Sequence, residues 1–73
     1  MSLPGEIDGD RFLRAMARFG WRVVSQRSSH RRLQKEGHAG SLFVAFHDTI
    51  GRNSMRRALR QAGIDEDDFV QEM

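Results

Sequence analysis

The chain contains no cysteine, which excludes disulfides, thiolate metal sites and a cysteine nucleophile. No apolar run approaches the ~20 residues a membrane-spanning helix needs. The N-terminus is acidic and lacks the apolar stretch of a secretory signal, so a cytoplasmic protein with no membrane partner is expected. Lysine is almost absent as well: one Lys35 accompanies eleven arginines. A length of 73 residues suits one small domain, expected over residues 1–73. Apolar residues make up 38% of the chain, enough for a thin core. Below roughly 80 residues such a core seldom supplies more than ~3–5 kcal/mol.

The catalytic motifs of several common classes are also lacking. His30, His38 and His47 are widely spaced, and no H-x-x-x-H helix occurs, so neither a metal nor another cofactor is expected. There is no glycine-rich phosphate loop of the Walker type. Ser29 adjoins His30, and neighbours on a strand point to opposite faces, which argues against a Ser–His–Asp triad.

What the chain does have is sorted charge. Residues 1–10 carry Glu6, Asp8 and Asp10, a net of −3. Residues 11–60 hold all twelve basic residues against Glu36 and Asp48, a net of +10. Residues 61–73 carry Asp65, Glu66, Asp67, Asp68 and Glu72, a net of −5. The total of +2 therefore hides a basic body between acidic ends. An arginine-rich body is the electrostatic footprint of a phosphate binder. The planar guanidinium fork also matches two phosphate oxygens at once. The plainer alternative is a solvated charged surface.

Hydrophobic spacing then sets the element order. Residues 1–9 read as a lead-in. Phe12, Leu13, Met16, Ala17 and Phe19 follow helical spacing over 11–19, with Asp10 as N-cap and Gly20 as terminator. Strands are expected at 21–26, 30–36 and 41–47, joined by turns at Arg27–Ser29 and Gly37–Gly40. Residues 48–53 read as a loop. A second helix follows, capped by Asn53 or Ser54, with Met55, Ala58 and Leu59 inward and Gly63 at its end. Ile64, Phe69 and Val70 are expected to pack back onto the core through a short terminal helix capped by Asp65. The order α-β-β-β-α predicts an α+β fold, with helices on one face of a three-stranded antiparallel sheet.

Strand alternation assigns the faces. Leu33 is the one apolar residue of 30–36 and should face the helices, with Arg31 and Lys35 at the ends of that face. His30, Arg32 and Gln34 then share the open face. In 41–47 both faces are apolar, Leu42, Val44 and Phe46 on one and Phe43 and Ala45 on the other, so one aromatic is expected on the open face, where it could stack a base or meet a protein partner. His38 reads as a loop residue and His47 as a strand-end residue beside Asp48.

Several of these segments together resemble one family. They are Gly20-Trp21, Gln26-Arg27-Ser28-Ser29-His30, Val44-Ala45-Phe46-His47 and Asn53 to Ile64. The chain resembles the HicA toxins, the ribonuclease components of HicA–HicB toxin–antitoxin pairs. The resemblance implies a double-stranded-RNA-binding-domain-like α-β-β-β-α fold, which agrees with the order above. It also implies that His30 occupies the place of the essential histidine of the family's G-S-H motif. Two positions depart from the pattern: Ser28 stands where the family has glycine, and Arg31 follows the histidine, where a second histidine is common.

The resulting expectation is a metal-independent endoribonuclease that cleaves mRNA, with a HicB-type antitoxin as partner. His30 is the expected catalytic base, and Arg32 the expected donor to the phosphoryl oxygens. Arg27, Ser29, Arg31, Arg32 and Lys35 are the expected RNA contacts. His47 is a candidate general acid only if the strands bring it near. The alternatives are a non-catalytic RNA-binding module of the same fold, and a domain that chiefly binds an acidic protein.

Overall fold

The computed structural model describes residues 2–73. The chain runs β1 (Glu6–Asp8), α1 (Gly9–Arg18), β2 (Arg22–Arg27), β3 (His30–Gln34), β4 (Leu42–Ala45), β5 (Thr49–Gly51), α2 (Arg52–Ala62) and α3 (Glu66–Gln71). Strands β2, β3 and β4 form a three-stranded antiparallel sheet in sequence order. The expected α+β fold with an α-β-β-β-α order is present, in a form compatible with a double-stranded-RNA-binding-domain-like fold.

The meander follows from its turns. Ser28 and Ser29 are the two residues between the paired Arg27 and His30. Gly37 and Gly40 take positive φ between β3 and β4. The helices cover one face of this sheet. Leu33, Leu42 and Val44 point into that layer and are buried with Phe12, Met16, Trp21, Met55, Leu59 and Phe69. Phe12 and Phe69 meet with ring centroids 5.5 Å apart, joining α1 to α3. In α1 it is Ala15, not the expected Ala17, that is buried beside Phe12 and Met16.

The last two helices end and begin as the sequence suggests. Gly63 closes α2 in the left-handed region, at φ 73°. The Asp65 carboxylate accepts from the backbone N–H of Asp67 at 2.8 Å and of Asp68 at 3.3 Å. This satisfies donors that the start of α3 would otherwise leave unpaired.

Three local expectations are corrected. The lead-in and the loop at 48–53 are not irregular: Glu6–Asp8 and Thr49–Gly51 pair as a two-stranded antiparallel ribbon, Ile7 opposite Ile50. Each strand is only three residues long, too short for a period to register. Helix α1 starts at Gly9, with Asp8 rather than Asp10 at the N-cap and no side-chain cap bond. The Gly9 N–H instead donates to the Asp48 carbonyl at 2.8 Å. Likewise α2 starts at Arg52 behind Gly51, not behind Asn53 or Ser54. The Arg52 N–H donates to the carbonyl of Gly5, the residue just ahead of β1, at 2.8 Å, so this helix is capped by a distant part of the chain.

Gly9 is required by its surroundings. A Cβ there would collide with the edge of the Phe46 ring. Phe46 follows β4 and is buried against the start of α1, so the helix approaches the sheet only with glycine at that point.

Candidate functional site

Antiparallel pairing brings the candidate residues of three strands side by side. His30 lies opposite Arg27 on β2 and Ala45 on β4; Arg32 lies opposite Ser25 and Phe43. All six face away from the helices and are exposed. Ser25, Arg27, His30, Arg32 and Phe43, with part of Arg31, line one shallow concavity of roughly 250 Å³. Among the described residues no carboxylate lines it. Its chemistry is cationic, with one imidazole and one aromatic face.

A bulge in β2 contributes to this arrangement. The register shifts between Val23 and Ser25, so Val23 pairs with Leu33 but Ser25 pairs with Arg32. Strand alternation alone would put Arg22 and Arg27, five positions apart, on opposite faces. The extra residue reverses the parity. Arg22 pairs with Gln34 and Arg27 with His30, and both arginines reach the open face. Nothing in the residue pattern signals this bulge, so Arg22 escaped the sequence reading.

The turn before His30 carries backbone strain. Ser28 has φ 58° and is the only non-glycine residue with positive φ among the described residues. A two-residue hairpin loop with positive φ only at its first central position has the φ pattern of a type II′ turn, where glycine is preferred. Ser28 stands at that position, so the departure from the G-S-H motif is a measurable strain of ~1–2 kcal/mol.

Arg31 differs from its neighbours. It points to the helix side, pairs across with Gln26 and Val44, and is only 8% exposed. One guanidinium nitrogen, Nη1, donates to the Phe46 carbonyl at 2.7 Å and to the Ser29 carbonyl at 3.0 Å. The guanidinium carbon lies 3.7 Å from the centroid of the Phe46 ring. The Phe46 N–H donates in turn to the Ser29 carbonyl at 3.1 Å. Arg31 thus ties the strained turn to the end of β4 from beneath. Its Nε is buried without a partner.

The remaining expected residues are dispersed. Ser29 is half-buried, and its carbonyl is used by Arg31 and Phe46. Lys35 falls just beyond β3, because the strand stops at Gln34; it is exposed and lines a different depression with Gly20, Arg22 and Glu36. His47 is exposed but does not line the concavity. His38 packs edge-on against Trp21, with centroids 4.7 Å apart. Among the described residues, no group of three His, Asp or Glu side chains is placed to hold a metal ion. None of the described helices is long and apolar enough to cross a membrane.

Residues 9–64 match the family described as the HicA toxin of bacterial toxin–antitoxin systems. The chain belongs to the HicA toxin family. No curated protein and no solved structure matches it significantly. The HicA match spans α1, the whole three-stranded sheet, β5, α2 and its Gly63 terminator, and so contains every residue of the concavity. As a HicA toxin it is the toxic component of a toxin–antitoxin system, and among the described residues the imidazole on the open sheet face is that of His30.

Proposed function

We propose that this HicA toxin is a metal-independent endoribonuclease that cleaves mRNA, with His30 as the catalytic residue. One observation carries the reading: His30 stands on the open sheet face between Arg27 and Arg32, in a concavity lined by no carboxylate. RNA supplies its own nucleophile, the 2′-OH beside the scissile phosphate. His30 accepts the 2′-OH proton as O2′ attacks phosphorus. The P–O5′ bond then breaks, leaving a 2′,3′-cyclic phosphate and a 5′-OH. The leaving oxygen takes its proton from water, because no second His, Asp, Glu or Lys lines the concavity. Arg32 and Arg27 donate to the phosphoryl oxygens, where negative charge grows during attack.

Arg31 and Lys35 fall outside this contact set, one buried beneath the sheet and the other beyond its end. Neutralisation by a HicB-type antitoxin that covers the cationic face completes the reading. The alternative of RNA binding without cleavage has one feature in its favour, the Ser28 strain at the turn that presents His30.

The test is cleavage of a long single-stranded RNA in EDTA by the parent protein and by His30→Ala. The parent should cut and leave cyclic phosphate ends. The variant should be slower by about 10²–10⁴-fold, the usual contribution of a positioned base. Dependence on a divalent metal, or undiminished cutting by the variant, would overturn the proposal.

A further inference from the structure

We infer that Phe43 is a stacking platform for one unpaired nucleobase, so that the concavity takes single-stranded RNA and not a duplex. The inference rests on the ribonuclease reading only in taking RNA as the ligand. Phe43 is 74% exposed, against 40% for Val23 and Val24, the other exposed large apolar residues among those described. The fold does not need it there. Leu42 and Val44 supply the packing of β4 from the opposite face. An aromatic ring held in water by a rigid strand is an unfilled contact.

The surroundings select the occupant. Phe43 lies directly across from Arg32 and diagonally from His30, which itself pairs with Ala45. Diagonal neighbours on a sheet are ~7–8 Å apart, close enough for the base next to a phosphate held at His30 to reach the ring. With Arg27 and Arg32 and no carboxylate in the lining, the charge suits a polyanion and repels a basic partner. Combining cations that follow a backbone with an aromatic that accepts any base face is the general device for binding single strands. Duplex RNA cannot use it. Its bases are stacked inside an A-form helix whose deep groove side chains do not read, and Phe43 stands on a sheet face with no loop to carry it inward.

The test uses 2′-O-methyl RNA, which lacks the attacking hydroxyl and reports binding alone. Affinities for a mixed-sequence single strand and for its duplex are measured over a range of salt for the parent, Phe43→Ala, Phe43→Leu and Phe43→Trp. Phe43→Ala should weaken single-strand binding by roughly 5- to 150-fold, the effect of losing one stacked base. Phe43→Leu should lose as much, because it keeps apolar area without a π face, while Phe43→Trp should bind at least as well as the parent. Duplex binding should not respond to any of them. The salt slope should stay constant across the Phe43 series and fall by about one for Arg32→Ala, a phosphate contact.

The inference would be overturned by full single-strand affinity in Phe43→Ala, by full affinity in Phe43→Leu, or by no single-strand binding by the parent. Equal losses on strand and duplex would also overturn it. If the parent binds with this Phe43 dependence yet never cuts ordinary RNA, the ribonuclease reading fails and the stacking site stands. If it cuts while Phe43→Ala binds normally, the reverse holds.

Discussion

The two faces of the central sheet treat three consecutive residues in opposite ways. His30 and Arg32 point to the open face and are exposed, while Arg31 between them is buried beneath it. The two arginines have the same side chain and adjacent positions but different tasks. Arg32 meets solvent beside Phe43, with its charge available to a ligand. Arg31 uses its charge on two backbone carbonyls and the Phe46 ring. A basic cluster read along a strand is therefore two populations, and only the outward one can serve as a phosphate site.

The largest expected difference between the faces is catalytic. His30→Ala should lose most of its cleavage rate, as above, yet keep a folding free energy within ~0.5 kcal/mol of the parent, as exposed substitutions do. A thermal melt beside the cleavage assay checks both halves. A large drop in melting temperature would show that His30 also supports the fold.

Beneath the sheet the order reverses. Arg31→Ala removes charge-assisted hydrogen bonds worth ~1.5–3 kcal/mol and leaves the Phe46 carbonyl without its partner. The melting temperature should fall by at least ~6 °C for a domain of this size, whereas Arg32→Ala should barely change it. Arg31→Met sharpens the comparison, because no carboxylate pairs with Arg31 among the described residues. A variant more stable than the parent would mean that burying the charge costs more than its hydrogen bonds return.

Gly9→Ala probes the same buried corner from the helix side. The added methyl meets the Phe46 ring, and overpacking of this kind costs about 1–3 kcal/mol. That outweighs the ~1 kcal/mol alanine returns as a helix former. A lower urea midpoint at unchanged slope is the expected result; an unchanged midpoint would mean that the Phe46 ring gives way freely.

The smallest effect belongs to the turn linking β2 to β3. Ser28→Gly should stabilise by about 0.5–1 kcal/mol, since the relief of positive-φ strain exceeds glycine's extra flexibility. A melting temperature raised by a few degrees confirms the strain. A lowered one would show that the Ser28 backbone sits comfortably where it is.

Much of this was legible from residue types. Leu33 alone among polar neighbours correctly assigned the faces of β3, and the apolar period of α2 correctly gave Met55, Ala58 and Leu59 as its buried side. Gly63 and Asp65 marked a helix end and a helix start by the chemistry of their own backbone and side chain. The ribbon of β1 and β5 was not legible, because its residues are 43 positions apart at Glu6 and Thr49, which share a hydrogen bond at 3.2 Å. Helix starts at Gly9 and Arg52 were missed for the same reason. Their caps are distant carbonyls, not nearby side chains.

For the candidate site, local sequence placed His30 and Arg32 on one face, since alternation needs only the two-residue period of a strand. The family resemblance, not local sequence, marked Ser28 as standing where glycine is usual, and the structure shows that this position takes positive φ. Tertiary structure decided the rest. The β2 bulge brings Arg22 and Arg27 to the same face, and the register of β4 sets Phe43 opposite Arg32. The Phe46 ring and two carbonyls turn Arg31 into a buried brace. Parity along a strand is a property of the chain, but register, bulges and the partners of a buried charge depend on which segments meet, and that is settled only when the whole core packs.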